Sequence, residues 1–158
     1  MVVPKRVVVS LVLLAFLATA CGGGAPSVQW QLKVSGAASP LTLSYGDLVA
    51  MPQVELKDIL MQKSQGPDER TSWAGVPLTE IWKRAGVTDL RAVVATAADG
   101  YAVEIPASEL EGAIIALKDG RGWIVETDPD HGPIRLVCPH APGNRWVFQL
   151  VELQVVRP

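Results

Sequence analysis

Several common kinds of chemistry find little support in this sequence. Positive charge is not in excess: 14 lysines and arginines stand against 16 aspartates and glutamates in 158 residues, a formal net charge of -2. A mildly acidic chain with scattered lysines has no electrostatic footprint for a phosphate backbone, which excludes nucleic acid as a partner. Nothing matches a serine-nucleophile motif, a phosphate-cradling glycine loop or a pair of catalytic carboxylates. Internal repeats are lacking. The only cysteines are Cys21 and Cys138, too few for a metal site of the paired-cysteine kind. The length suits one domain with a proper core.

What is present begins with a leader. Lys5 and Arg6 form a short basic region, Val7 to Leu17 is apolar, and Ala18, Thr19 and Ala20 are small. That run is too short for a permanent transmembrane helix and is closed as a signal peptidase requires, so 1–20 reads as a secretory signal peptide. With Cys21 directly after the small residues, the segment resembles the lipobox of bacterial lipoproteins. The resemblance implies that Cys21 carries a lipid and anchors the chain to a membrane on the extracytoplasmic face of the cell envelope. Residues 21–27 are then the lipidated cysteine and a flexible tether, and 28–158 the folded domain. On that reading Cys138 is the single remaining thiol, and no internal disulfide forms.

Within the domain, Val28 to Ser35 alternates apolar and polar residues as a half-buried strand does. A short strand at Leu41 to Leu43 leads to Ser44, which can cap a short helix with Leu48 and Met51 turned inward and Pro52 as its stop. Strands are expected at Val54 to Gln62 and Thr71 to Val76. Pro77 sits at the first position of a helix whose buried face is Leu78, Ile81, Trp82 and Ala85 and which Gly86 ends. Leu90 to Ala97, a turn at Asp99-Gly100, and Tyr101 to Ile105 follow. Ser108 caps a single helical turn, and Asp119 to Gly122 joins strands at Ala113 to Lys118 and Trp123 to Glu126. Many short strands with two or three short helices predict an α+β or mainly-β domain of mixed sheets.

The richest stretch is Asp130 to Trp146: a turn, an apolar run from Ile134 to Cys138 interrupted by Arg135, a proline-punctuated loop, then a strand from Val147 to Val156. Both histidines and two arginines lie in it. Guanidinium forks beside a histidine suit a polyanionic small molecule. Alternatives stay open for each residue. Arg135 needs either a ligand phosphate or an acid such as Glu126 or Asp128. His131 can be a turn residue, Arg145 can stack or pair beside Trp146, and Asp99 can serve its turn alone. His140 is a loop residue beside the expected pocket. Cys138 can be a metal ligand or pack as a small hydrophobe.

Three segments, in order, carry a resemblance. They are WAGVPLTEIWKRAG (Trp73 to Gly86), VVATAADGYAVEIP (Val93 to Pro106), and IIALKDGRGWIVETDPDHGPIRLVCP followed by NRWV (Ile114 to Val147). Together they resemble the sulfite-oxidase-type molybdopterin-binding domains of oxidoreductases, over nearly the whole domain. The resemblance implies that fold and a molybdopterin cofactor, with a pterin or similar anion held by Asp99, His131, Arg135 and Arg145. It also implies a redox partner protein if the chain is an enzyme. The family's cysteine ligand to molybdenum has no counterpart between Gln53 and Ser72, where Ser64 and Ser72 are the nearest isosteres. Two expectations result: a divergent oxidoreductase, or a non-catalytic ligand-binding or protein-interaction lipoprotein that keeps the fold without molybdenum.

Overall fold

The computed structural model describes residues 24–158, so the expected signal peptide and lipidation site at Cys21 lie outside the described residues. The elements in chain order are β1 (Gln31–Ser35), β2 (Leu41–Ser44), α1 (Tyr45–Ala50), β3 (Val54–Met61), β4 (Glu69–Pro77) and α2 (Leu78–Ala85). They continue as β5 (Ala92–Ala97), β6 (Ala102–Pro106), β7 (Ile114–Asp119), β8 (Gly122–Trp123), α3 (Ile124–Thr127), β9 (Arg135–Val137) and β10 (Leu150–Val156). Short 3-10 turns cover Ala107–Glu109 and Gly143–Arg145.

Two mixed or antiparallel sheets form the domain, as the many short strands predict. One runs β2-β1-β10-β5-β6, in which β1 and β10 are parallel and the other pairings antiparallel. The other runs β3-β4-β7-β8, with β9 also paired to β7. Apolar residues at alternate strand positions meet between them: Leu32, Val34, Ile105, Ile115, Leu117, Leu136 and Leu153 are all fully buried. Burial of these side chains is the main stabilising term, about 1.5–3 kcal/mol for each large one. α2 adds Leu78, Ile81 and Ala85 to this core, and Gly86 ends it in the left-handed region at φ 65, where glycine avoids a Cβ penalty.

One backbone approach decides where the second sheet places its residues. At Gly75 a Cβ would stand 1.9 Å from the carbonyl oxygen of Ile115. The β4–β7 register shifts at that point, so only glycine lets the strands close and aims Trp73, two residues back, toward β9.

Where chain and expectation part, local hydrogen bonds explain it. The segment expected as a strand from Trp123 to Glu126 turns into a helix after Trp123, because Asp119 accepts from the Thr127 hydroxyl at 2.8 Å and Asp128 N–H donates to Ile124 O at 2.8 Å. Pro77 caps α2 from just outside instead of opening it, and the Leu78 N–H is satisfied by Ala113 O at 3.0 Å. Ser108 lies inside its 3-10 turn, with Pro106 at the capping position. The last strand starts at Leu150, since Gln149 adopts φ 50. Ser44 caps α1 as the sequence predicts, and Asp47 completes a capping box, with Asp47 N–H donating to Ser44 Oγ at 3.1 Å and Ser44 N–H to Asp47 Oδ2 at 2.8 Å. Among the described residues no helix is long and apolar enough to cross a membrane.

Candidate functional site

Arg135 opens β9, and the residues on either side of it, Ile134 and Leu136, are fully buried in the core. Pleating turns Arg135 the other way, toward a cavity of about 880 Å3. Its guanidinium carbon lies 4.5 Å from the centroid of the Phe148 ring and 5.1 Å from that of Trp73. Phe148 is brought there by an isolated bridge to Arg135 and by the Leu136 N–H donating to Val147 O at 2.7 Å. Trp73 is itself fixed by donating from Nε1 to Thr71 Oγ1 at 2.8 Å.

The cavity gathers five basic side chains, and four of them are already engaged. Lys63 pairs with Glu69. Arg70 donates to the Asp58 carbonyl at 2.7 Å and carboxylate at 3.1 Å. Arg121 donates to Asp119 at 2.7 Å, and His131 sets Nδ1 2.9 Å from Asp128. Arg135 alone has neither a hydrogen bond nor an ion pair to a described residue. Burial pushes its pKa down, against the pull of Asp128, Asp119 and Glu69, yet a guanidinium stays charged throughout the ordinary pH range. Asp119 shows the opposite balance: burial alone would raise it, but bonds from Arg121 and Thr127 outweigh that and hold it below the usual carboxylate value. The cavity therefore offers one desolvated cation with open donors, framed by neutralised pairs.

Asp99, His131, Arg135 and Arg145 do not converge. His131 and Arg135 share the polar cavity, and the His131 ring packs edge-on to Phe148 at 4.8 Å. Asp99 accepts from the Tyr101 N–H at 2.9 Å, serving its turn, and lines a separate cavity of about 460 Å3. The two cavities share Met61 and Lys63. Arg145 lines neither; its Nε donates to Glu109 at 3.1 Å and ties together the two 3-10 turns. His140 is exposed and lines neither cavity. Trp73 and Phe148, the aromatic frame of Arg135, were not apparent as such from the sequence. Trp73 reads as core, and it is only 8% exposed, while the pairing of Phe148 with Arg135 depends on a loop closure that no periodicity encodes.

Cys138 is fully buried and its sulfur faces Arg145 O at 3.9 Å. Burial first, then the charge of Glu109, push its thiol up to about 12 against the opposing Arg145. It packs as a small hydrophobe. Among the described residues, no three histidine, cysteine, aspartate or glutamate side chains are grouped to hold a metal ion.

The family model of the oxidoreductase molybdopterin binding domain matches residues 23–158. The chain belongs to that family. Among solved structures, the sulfane dehydrogenase SoxCD from Paracoccus pantotrophus is similar, with a TM-score of 0.70 and 21% sequence identity over 84% of this chain. At that identity the likeness is one of fold, and the match covers 40% of the SoxCD chain. No curated protein matches the sequence. The family's cofactor is a molybdopterin. The residues present suit its anionic part, since Arg135 offers a fork of unpaired donors to an oxyanion. Among the described residues no thiolate faces the polar cavity, because Cys138 is buried outside it.

The geometry of Cys138 has a measurable consequence. In the folded chain it should react with a thiol reagent at pH 8 at least about a hundredfold more slowly than an exposed cysteine, since both access and thiolate fraction are suppressed. Peptide mapping after labelling, with and without urea, checks this; fast labelling of the native chain would contradict the burial.

Proposed function

We propose that the chain is an envelope lipoprotein whose domain holds a molybdopterin-type cofactor, or a similar small anion, through Arg135 and His131. The observation that carries the reading is the unpaired guanidinium of Arg135 in a cavity where the other basic groups are already engaged. A planar fork held between two rings keeps its donors aimed and loses little entropy on binding a phosphate. His131 adds a second contact: with Nδ1 turned to Asp128, its Nε2 is the ring nitrogen left for a ligand. Asp119 and Asp128 keep the mouth from becoming strongly cationic, which favours one bound anionic group over a polyanion. When bound, the cofactor supplies redox chemistry at its metal, while the protein binds, orients and shields it. Asp99 sits across the wall formed by Met61 and Lys63, and Arg145 is held by Glu109, so the hold on the oxyanion narrows to Arg135 and His131.

A second reading has its own observation. The one described thiol is buried outside the cavity, and Ser72 Oγ already accepts from the Asp58 N–H at 3.1 Å. A domain that binds the pterin without ligating its metal is a binding module with the family's fold. Such a module needs no electron partner; an oxidoreductase does, and a redox protein in the same compartment would supply it.

Both readings are tested together by purifying the chain from a host that makes molybdenum cofactor and measuring molybdenum and pterin per chain. About one of each supports an oxidoreductase-type site; pterin without metal supports the binding module. In either case Arg135→Gln should lose at least about tenfold in pterin content, and Arg145→Gln should not. Absence of both from a folded wild-type sample, or full retention in Arg135→Gln, would overturn the proposal. The anchor has its own assay. Labelled palmitate should enter the wild-type chain and not Cys21→Ser, which should leave the membrane fraction; equal fractionation of the two would refute lipidation.

A further inference from the structure

The outer half of the β3–β4 hairpin stands apart from the sheet that bears it. β4 pairs with β7 only from Trp73 onward, and β3 is the outermost strand of its sheet. Ile59 to Met61 on β3 and Glu69 to Thr71 on β4 therefore form a two-stranded ribbon with no third strand beside it. A ribbon of that kind has little stability of its own. From Asp58 to Ser72 no residue is fully buried, and only Ile59, Met61, Thr71 and Ser72 are half-buried.

The ribbon meets its root at a bend. The β3–β4 register shifts between Leu56 and Ile59, and within that step Asp58 adopts φ 51, outside the range of a regular strand. Local bonds hold the bend: Asp58 N–H donates to Ser72 Oγ at 3.1 Å, and Arg70 donates to the Asp58 carbonyl at 2.7 Å. Nearer the tip, Lys63 pairs with Glu69, and its N–H donates to Asp68 at 3.1 Å. The polar groups of the ribbon are thus engaged with one another. Among the described residues, the hydrogen bond that ties it to a different element is Gly143 N–H donating to Gln62 O at 2.7 Å. A Cβ on Gly143 would stand 2.8 Å from that oxygen, so the close approach depends on glycine.

This ribbon supplies a wall to both cavities. Met61, Lys63, Ser64 and Gln65 line the one of about 460 Å3, and Met61, Lys63, Glu69 and Arg70 line the one of about 880 Å3. Met61 and Lys63, which divide the two, lie on a unit with a bend at one end and a single backbone bond to the body at the other. Such units open at a fraction of the cost of global unfolding. We infer that residues 58–72 form a flap, which hinges at Asp58, latches through Gln62 and Gly143, and opens both cavities together. Lifting it withdraws Met61 and Lys63 and joins the two cavities in one cleft. A covering segment that bends at an element end, over a site built on rigid strands, can admit a ligand and then exclude water from it. The inference does not depend on which ligand the cavities take.

Pulsed electron paramagnetic resonance tests it. Spin labels at Gln65→Cys on the ribbon and Thr42→Cys on β2, in a Cys21→Ser chain, report the position of the flap, with Cys138 buried and unlabelled. One dominant distance with a minor, longer component is expected. Gly143→Ala, which strains the latch, should raise the longer component at least about threefold, the worth of one backbone hydrogen bond. Asp58→Gly, which takes a positive φ freely and releases Arg70 from its carboxylate, should raise it from the hinge end. In both variants the amides of Ile59 to Met61 and Glu69 to Thr71 should exchange with deuterium no faster than in the parent, because the flap moves as a unit. The inference is overturned if neither variant changes the distances, or if the longer component appears only together with faster exchange along the ribbon, which is melting and not hinging.

Discussion

Arg135 is the constraint on which the functional half of this domain depends. A guanidinium drawn out of water without a carboxylate partner is unfavourable, with a desolvation cost of several kcal/mol for a fully buried ion. Here the cost is limited in two ways. The ring faces of Trp73 and Phe148 contribute cation–π attraction, up to about 2 kcal/mol where solvent is partly excluded, and the guanidinium opens on a cavity, so its side chain is only half-buried. What results is a cation packed against two rings and left unsatisfied. Three parts of the fold must meet to produce it: β4 for Trp73, β9 for Arg135 and the loop before β10 for Phe148. The glycine contact at Gly75 and the register of β9 on β7 are therefore functional constraints as much as structural ones.

Around that cation the protein organises two neighbouring environments of unlike character. On one side lie ion pairs that neutralise one another, so that the single open set of donors belongs to Arg135. On the other lie aromatic rings with the Asp99 carboxylate, which accepts from the Tyr101 N–H. The dividing wall consists of Met61 and Lys63, at and just beyond the end of β3. The buried Cys138 completes the contrast with a thiolate-ligated metal centre. It sits behind β9, its thiol pushed up to about 12, where it helps to pack the strand that carries Arg135.

Much of this was legible in the residues, and the exceptions have physical causes. The alternation in Leu32 and Val34, the Ser44 cap, the Leu78, Ile81 and Ala85 face and the Gly86 stop are all local signals, and the fold uses them as written. The three ordered motifs carried the family. Local signals failed where a side chain outcompeted the strand: Asp119, by capturing Thr127, turned the segment after Trp123 into a helix. The site was legible in part. An arginine inside an apolar strand announced Arg135, and His131 lies beside it. Asp99 and Arg145 match in sequence position, but position does not encode direction. One serves its turn in the next cavity, and the other is claimed by Glu109, a residue remote in sequence. Phe148 could not be foreseen as a partner of Arg135, because their meeting depends on how a loop with three breaker residues closes.

We propose Arg135 as the open anion-binding cation of this domain. Its side-chain Nε–H resonance, followed by nuclear magnetic resonance during titration with a phosphate monoester, tests that claim most directly. The account predicts a saturable shift of the Arg135 signal, while Arg145, bonded to Glu109, stays in place. A titration that moves Arg145 or the exposed Arg70 as far as Arg135, or that leaves Arg135 unmoved, would contradict it.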